Sequence, residues 1–229
     1  FIKVINYIYI LIPIGISTLI AISIGNTNLL TIKLLMTYLI TTLSLLAIFG
    51  IIILPLIITI YTNVSITELF KAMIPALLTA FSTSSSSSTL PITTNCLRYR
   101  MGVCPQITYF VTTLGATFHM TGTLIYQITA TYFIAQLFSI DFSIQQLLYL
   151  CGLSLLISVT TAGIPSAGFV TMTTLFTTFN IPLEGMFIII TVDRFLDMLR
   201  TTLNVWSDSC AAIIITESEN IPLHYGFIE

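Results

Sequence analysis

Charged side chains are separated along the chain by long stretches of mainly apolar residues. The intervals without Asp, Glu, Lys or Arg lie between positions 3 and 33, 33 and 68, 71 and 98, 100 and 141, and 141 and 184. A helix that crosses a bilayer needs ~20 predominantly apolar residues, and each interval is long enough for one. The pattern predicts four spanning helices, over residues 4–25, 30–60, 105–137 and 186–215, and Pro55 is expected to kink the second.

Two further apolar segments are interrupted by small, polar and proline residues. In the first, an apolar run at 72–81 meets Ser and Thr at 82–89 and a half-apolar run beyond Pro91; in the second, runs at 144–159 and 169–182 flank TTAGIPSAG. Each arm has about half of the ~20 residues needed to cross a bilayer. We therefore predict re-entrant hairpins over about 66–98 and 143–182. Two such interrupted segments indicate the binding site of a transporter.

Composition places the chain in the membrane class. Of its 229 residues, 56% are hydrophobic and 7% are charged, whereas a soluble domain carries ~25% charged residues. This excludes an ordinary soluble enzyme, and a net charge of -2 offers no basic surface for nucleic acid. The four cysteines show no CxxC spacing and are interpreted as small helix-packing residues.

The distribution of basic residues predicts an orientation. If the first span runs outward, Lys71, Arg98 and Arg100 fall on the cytoplasmic side, as the positive-inside rule requires, while Lys33 falls on the opposite side. The chain begins with Phe1, and we expect that sequence preceding it is missing.

The last predicted span carries a polar stripe. Its members follow spacings of four, three, four and four and are Asp193, Asp197, Arg200, Asn204 and Asp208. At ~3.6 residues per turn they share one face of a helix, which must contact a cavity or partners rather than lipid. One interpretation is a network of Asp–Arg pairs that braces neighbouring helices, but Asp208 lies about two turns beyond Arg200, out of direct pairing range.

A second interpretation is a ligand site. Arg200 offers a planar fork for a carboxylate, and Asp197 offers an acceptor for an ammonium group. The carboxylate oxygens of Asp208 are hard ligands of the kind that a dehydrated cation prefers. Together these groups predict an acidic amino acid bound beside a cation.

Four stretches of the sequence carry a resemblance to a known family. STSSSSSTLPITT, GATFHMTGT, TTAGIPSAGFVTM and VDRFLDMLRTTLNVWSDS resemble, in order, the signature stretches of the glutamate transporter family, the dicarboxylate/amino-acid:cation symporters. The chain is similar to the C-terminal part of such a protein, and the family's earlier spans are absent.

The resemblance implies an all-α integral membrane protein of the elevator type, with four spanning helices and two re-entrant hairpins. It implies a first, scaffold-like span at 1–28, a transport core at 29–216 and a polar tail at 217–229. The implied activity is secondary symport of glutamate, aspartate or a related dicarboxylate at the plasma membrane. No cofactor is implied beyond the coupling ion, sodium or a proton, and the implied assembly is a homotrimer if the missing spans are present.

The family's site residues carry over to matching positions. The substrate-binding set implied by the resemblance is Ser85, Ser86, Met120, Thr123, Ile164, Pro165, Gly168, Asp197, Arg200, Thr201 and Asn204. Within it, Arg200 would bind the substrate's side-chain carboxylate and Asp197 its amino group. The implied cation ligands are Gly115, Asn204 and Asp208 at one site, Thr117, Ser158 and Thr161 at a second, and His119 in place of a family ligand.

One signature departs from the family. The family motif Asn-Met-Asp-Gly-Thr reads His119-Met120-Thr121-Gly122-Thr123 here. Imidazole is a poor ligand for sodium, and Thr121 removes a carboxylate, so a third cation site is not expected. His119 is interpreted either as a hydrogen-bonded packing residue or as a proton carrier, because an unperturbed imidazole titrates at pH ~6.5.

Three other functions stay open from the sequence. A degenerate or partial subunit that binds no substrate would explain the lost Asn and Asp and the missing spans. A channel would explain the polar hairpin tips. An intramembrane hydrolase is disfavoured, because the chain contains no GxSxG.

Overall fold

The computed structural model describes residues 29–223. The predicted first span at 4–25 and the last residues of the predicted tail, 224–229, lie outside the described residues. The chain divides into two units, residues 1–37 and 38–229, and every contact reported below belongs to the second.

The described residues form helices joined by short connections, with no β-strand among them. The α-helices are α1 (Leu29–Ala47), α2 (Leu54–Tyr61), α3 (Ile66–Thr83), α4 (Ser86–Asn95), α5 (Pro105–Phe118), α6 (Thr121–Leu137), α7 (Ile144–Thr160), α8 (Ala167–Thr178) and α9 (Met186–Ser218). Two π-helical segments occur at Ile48–Ile53 and Cys96–Arg100, and a 3-10 turn occurs at Leu183–Gly185. The prediction of an all-α fold is confirmed.

The first described helix is long and apolar. Lys33–Tyr61 is the one stretch in residues 29–223 that has both the length and the uninterrupted apolar character of a membrane span. Pro55 does not break it, because proline is tolerated in the first turn of α2. The preceding π-helical segment, Ile48–Ile53, joins α1 to α2.

Both interrupted segments fold as helix–break–helix units. In hairpin 1, α3 ends at Ser84, whose left-handed conformation (φ 52°) reverses the chain, and Ser85 caps the start of α4. In hairpin 2, a capping box of Ser143 and Gln146 starts α7, and Ser166 (φ 60°) precedes α8. These units coincide with the positions predicted for the re-entrant hairpins.

The predicted span at 105–137 is two helices rather than one. The helix stops at His119 and restarts after Met120, and both residues have non-helical backbone angles. The break exposes backbone groups at two helix ends, and a side chain of α9 satisfies one of them, as described below. The sequence around the break has no proline and reads as helix-compatible, so the interruption is a tertiary feature.

Helix α9 is the centre of the molecule. It packs against α3, α5, α6, α2 and α4, and the apolar core lies between α3, α5 and the C-terminal half of α9. Fully buried members of this core are Leu69, Met73, Leu97, Met101 and Ile213.

The outer faces of the helices are apolar as well. Large hydrophobic side chains such as Ile51, Ile144 and Phe187 are more than 70% exposed. An apolar exterior around a polar interior is the arrangement expected of helices that contact hydrocarbon.

Candidate functional site

The polar stripe of α9 is buried. Its five members are 1–4% exposed: Asp193, Asp197, Arg200, Asn204 and Asp208. Buried charges require partners, and the partners come from α9 itself, the tip of hairpin 2, α6 and the break between α5 and α6.

Arg200 and Asp197 are bonded to each other. Arg200 Nε and Nη2 donate to Asp197 Oδ1 at 2.9 and 2.7 Å, and the backbone N–H of Ser166, at the tip of hairpin 2, donates to Asp197 Oδ2 at 2.7 Å. The sequence assigned separate ligand roles to these two residues. The structure shows that the two side chains bind each other, and that Asp197 also binds the tip of hairpin 2.

The remaining guanidinium nitrogen of Arg200 is unsatisfied. Nη1 is buried and has no hydrogen-bond partner among the described residues, although the guanidinium carbon lies 4.7 Å from the centre of the Tyr126 ring. A Cβ added to Gly168 would overlap Nη1. The absence of a side chain at Gly168 therefore keeps this donor accessible from the tip of hairpin 2.

A small cavity of about 10 Å³ lies beside the Arg200–Asp197 pair. This is room for about one water molecule, so the site is closed. Its lining residues are Ser84, Ser86, Met120, Thr123, Thr161, Ala162, Gly163, Ile164, Gly168, Asp197, Arg200, Thr201 and Asn204.

The lining can be compared with the substrate set implied by the sequence. Nine members of that set line the cavity, and Ser85 and Pro165 do not. Ser84, Ala162 and Gly163 line it although the sequence analysis did not name them, and Thr161, which the resemblance assigned to a cation, lines it too. The position of Ser84, one residue before the predicted tip pair, was the only signal for it in the sequence.

The tips of the two hairpins meet at one carbonyl group. The carbonyl oxygen of Gly163 accepts from Ser85 Oγ at 2.8 Å and from the backbone N–H of Ser87 at 3.1 Å. A Cβ at position 163 would lie 2.6 Å from the Ala116 carbonyl oxygen and 2.7 Å from Ser87 Oγ. Only glycine allows this approach, which closes the cavity.

Asn204 connects α9 to the helix break. Its Oδ1 accepts from the backbone N–H of Gly122 at 2.7 Å, in the first turn of α6, where helices leave such donors unsatisfied. Its Nδ2 lies 3.3 Å from Met120 Sδ and 3.4 Å from Thr123 Oγ1. Asn204 therefore positions two lining residues of the cavity.

Three helices begin at the cavity. Ser86 is the first residue of α4, Thr123 lies in the first turn of α6, and Gly168 lies in the first turn of α8. Helix N-termini carry partial positive charge and favour anions. The cavity is therefore suited to a ligand with negative charge.

Asp208 is paired with His119. The ring Nδ1 of His119 lies 2.8 Å from Asp208 Oδ1, and because a carboxylate only accepts, the ring N–H donates. The His119 side chain is 46% exposed and that of Asp208 is 4% exposed. The sequence analysis found no partner for Asp208 within pairing range on its own helix; the structure supplies one from another helix, because His119 contacts it.

Gly115 lies against the same carboxylate. A Cβ at this position would overlap Asp208, so glycine is needed for α5 to approach α9. Gly115 and Asp208 are thus neighbours, and Asn204 lies one helical turn before Asp208.

The second implied cation set lies at the ends of two helices. Ser158 and Thr161 are at the end of α7, where their hydroxyls donate to the carbonyls of Leu155 and Ile157 at 2.8 Å. Thr117 is exposed near the end of α5, and its hydroxyl bonds carbonyls of its own helix. Helix C-termini carry partial negative charge and free carbonyl oxygens, which are groups that can ligate a hard cation.

One buried interaction was not found from the sequence. The Tyr126 hydroxyl, on α6, donates to Asp193 Oδ1, on α9. In residues 29–223 no cluster of three or more His, Cys, Asp or Glu side chains could hold a metal ion.

Comparison with known proteins gives a consistent result. A model described as the sodium:dicarboxylate symporter family matches residues 1–218. An excitatory amino acid transporter of Caenorhabditis elegans is 40% identical over 185 residues, 81% of this chain and 37% of that protein. Excitatory amino acid transporter 1 of Rattus norvegicus is 42% identical over 178 residues, 78% of this chain and 33% of that protein.

A third relative is excitatory amino acid transporter 4 of Mus musculus, 44% identical over 163 residues, 71% of this chain and 29% of that protein. The chain spans about a third of the length of the curated relatives it matches. The predicted resemblance is confirmed, and the relatives are named as transporters rather than enzymes, as expected.

Proposed function

Because the chain belongs to the sodium:dicarboxylate symporter family, we propose that it is the substrate-binding core of a secondary transporter for acidic amino acids, coupled to a cation. The observation that carries the proposal is the Arg200–Asp197 pair at the cavity. The pair places the Arg200 guanidinium, whose buried Nη1 has no partner among the described residues, beside the Asp197 carboxylate. The three helix N-termini at the cavity favour a ligand with net negative charge.

Binding requires that the pair separate. A cavity of about 10 Å³ does not hold an amino acid, and ligand pockets are usually ~300–1,000 Å³. The substrate's ammonium group would replace Arg200 on Asp197, and its side-chain carboxylate would replace Asp197 on the guanidinium. The Ser166 N–H, released from Asp197, would be available to the substrate, so that hairpin 2 would act as the lid.

The larger assembly is part of the proposal. Two hairpins that close over a substrate bound between α9 and α6 would form the core of an elevator-type transporter. Membership of the symporter family implies that the protein is integral to a membrane. We propose that the protein resides in the plasma membrane and, if the family's earlier spans are present, assembles as a homotrimer.

The test is binding of L-aspartate and L-glutamate to the purified chain, with and without sodium, from about pH 5 to pH 8. Arg200→Ala is expected to weaken binding by about 2–5 kcal/mol, at least ~30-fold, because a ligand carboxylate would lose its buried partner. Arg194→Ala is the matched control, since Arg194 is exposed on the same helix, and it should bind normally. Undiminished aspartate affinity in Arg200→Ala would contradict the substrate assignment.

A second candidate function rests on the His119–Asp208 hydrogen bond. His119 hydrogen-bonds an Asp208 carboxylate oxygen that a cation would need as a ligand. This contact favours a family member that has lost a sodium site or all transport. Sodium-dependent binding would reject this candidate. Binding that ignores sodium but follows pH would favour proton coupling, and a folded chain that binds neither amino acid would favour a structural subunit.

A further inference from the structure

A third hydrogen bond joins the break between α5 and α6 to α9. The hydroxyl oxygens of Thr121 and Ser207 lie 2.9 Å apart, and the Ser207 hydroxyl donates to the Asn204 carbonyl oxygen at 2.9 Å. Because a hydroxyl has one hydrogen, Thr121 is the donor in the first contact. With the contacts of His119 and Gly122 described above, the break is bound to α9 at three places within little more than one helical turn.

These bonds use oxygens of the first implied cation set, Gly115, Asn204 and Asp208. The Asn204 carbonyl accepts from Ser207 and, within α9, from the Asp208 N–H, so both of its lone pairs are engaged. Asn204 Oδ1 accepts the N–H in the first turn of α6, and the Gly115 carbonyl accepts the His119 N–H at 3.2 Å. Each of these three oxygens therefore has a donor from the protein itself.

The Asp208 carboxylate adds only one more oxygen to this set. Its Oδ1 accepts from His119, and the carboxyl group lies directly against Gly115, where a Cβ would be 2.4 Å from Asp208 Cγ. In residues 29–223, only Oδ2 of the set is left without a hydrogen-bond donor. A hard cation needs several oxygen ligands at once, so the first set does not fit a sodium ion.

The second implied set differs in this respect. The carbonyl oxygens of Thr117 and Thr161, at the C-terminal ends of α5 and α7, accept no hydrogen bond from a described residue. The two helix ends are close together, since a Cβ at Gly163 would lie 2.6 Å from the Ala116 carbonyl oxygen. Free carbonyl oxygens at helix ends are suitable ligands for a hard cation.

We infer that a network of hydrogen bonds replaces the cation at the first implied set, and that cation coupling passes through the second set alone. The inference rests on the proposed cation-coupled binding of an acidic amino acid and specifies its coupling. Donors from His119 and Thr121 bind α9 directly, so Met120 and Thr123 are held at the cavity without an ion between the helices.

The number of sodium ions that bind together with aspartate tests the inference. Isothermal titration of the purified chain gives the aspartate Kd at a series of sodium concentrations, with choline chloride keeping the ionic strength constant. The slope of log Kd against the logarithm of the sodium concentration gives the number of coupled ions, because each ion acts by mass action. We expect a slope of about one in magnitude for the unmodified chain.

His119→Asn should raise this slope to about two, because it frees Asp208 Oδ1 and supplies an amide oxygen. Adding Asp208→Asn to that variant should return the slope to about one. Ser209→Ala is the matched control, since the Ser209 hydroxyl is buried on the same helix but donates to the Val205 carbonyl at 2.7 Å, outside the network. It should leave the slope unchanged.

A second measurement needs no amino acid. The unfolding temperature is followed as sodium replaces choline, and His119→Asn should gain a sodium-dependent rise that the unmodified chain and Ser209→Ala lack, because a bound ion stabilises the folded state. Identical sodium responses in the three proteins would overturn the inference. This measurement also decides the inference if the chain binds neither amino acid, a result that would reject the proposed function.

The slopes separate the remaining outcomes. A slope of about two or more in the unmodified chain, or a slope that His119→Asn leaves unchanged, would overturn the inference. A slope of about zero in the unmodified chain that rises in His119→Asn would support the network and reject sodium coupling through the second set.

Discussion

Arg200 donates from two of its nitrogens to Asp197, whereas the third, Nη1, is buried without a hydrogen-bond partner in residues 29–223. A buried unsatisfied donor on a charged group is costly, and a carboxylate is the group that removes the cost. Access to this nitrogen depends on Gly168, where any side chain would overlap it. The affinity of the proposed site is therefore expected to depend on a residue that has no functional group.

Gly168→Ala is expected to weaken aspartate binding by about 1–3 kcal/mol, ~5- to 150-fold, because the methyl group overpacks the guanidinium. Isothermal titration of the purified chain measures the change. Gly152→Ala is the matched control, because a Cβ there meets nothing within 4 Å; it should leave affinity unchanged and stabilise the helix by up to about 1 kcal/mol. Equal affinity in the two variants would contradict the assigned role of Nη1.

His119→Asn is expected to lower the sodium concentration needed for half-maximal aspartate binding. The substitution frees an Asp208 oxygen from a hydrogen bond to a charged group, worth ~1.5–3 kcal/mol or roughly tenfold and more, and adds an amide oxygen that sodium accepts as a ligand. His119→Ala frees the carboxylate without adding an oxygen and should show a smaller effect. The measurement is aspartate binding as a function of sodium concentration in the unmodified chain, His119→Asn and His119→Ala. Identical curves for the three would reject the prediction.

For single residues, the sequence indicated which side chains lie near one another better than it indicated which of them form contacts. The spacing of the five polar residues of α9 required one buried face, and nine of the residues implied for the substrate line one cavity. The contact of His119 with Asp208 joins residues 89 positions apart, and no local pattern reports such a pair. The i,i+3 spacing of Asp197 and Arg200 is compatible with a pair on a helix, but it does not say whether the two side chains bind each other or a ligand.

Hairpin 1 and hairpin 2 illustrate what can be predicted at the level of elements. Serine, glycine and proline interrupt apolar arms too short to span a bilayer, so the breaks were visible in the sequence. The break at His119–Met120 was not, because it is sustained by Asn204 of a distant helix, which accepts from Gly122 N–H. The π-helical segments were missed because their residues are also compatible with an ordinary α-helix.

Ser85→Ala is expected to loosen the junction of the two hairpins. Ser85 Oγ both caps α4, through the Ser88 N–H, and donates to Gly163, and loss of a helix cap costs about 0.5–2 kcal/mol. Hydrogen exchange at the amides of 86–89 and 162–166 should accelerate accordingly. Ser82→Ala is the control, since Ser82 is exposed and bonds only its own helix at Leu78; similar acceleration in both variants would contradict the junction.

The charged residues near the two hairpins differ mainly in sign. Lys71, Arg98 and Arg100 lie at the base of hairpin 1, together with the acidic Glu68, whereas Asp141 and Glu184 lie in the connections that flank hairpin 2. Positive charge marks the cytoplasmic side of membrane proteins. The sequence predicted this asymmetry, because it depends on few residues and on no tertiary contact.

Proteolysis in sealed vesicles of known orientation tests that polarity. Trypsin should cleave after Arg100 only from the cytoplasmic side, and a glutamate-specific protease should cleave after the exposed Glu184 only from the opposite side. Fragment masses identify the cleavage sites. Cleavage at both sites from the same face would reject the orientation and, with it, either the span at 105–137 or the re-entrant path of hairpin 2.

The π-helical segment at Ile48–Ile53 fixes how α1 is rotated against the rest of the molecule. A π turn holds about one residue more than an α turn, so if the same residues formed a regular α-helix, α1 would be turned by about 100° relative to α2. The stacked rings of Tyr38 and Phe133, 4.8 Å apart, and the hydrogen bond from Thr42 to Thr129 would then both be lost. A change of side chain at Ile51, which is 74% exposed, leaves these contacts in place. The π conformation of this segment, rather than the identity of its side chains, therefore sets which face of α1 meets α6.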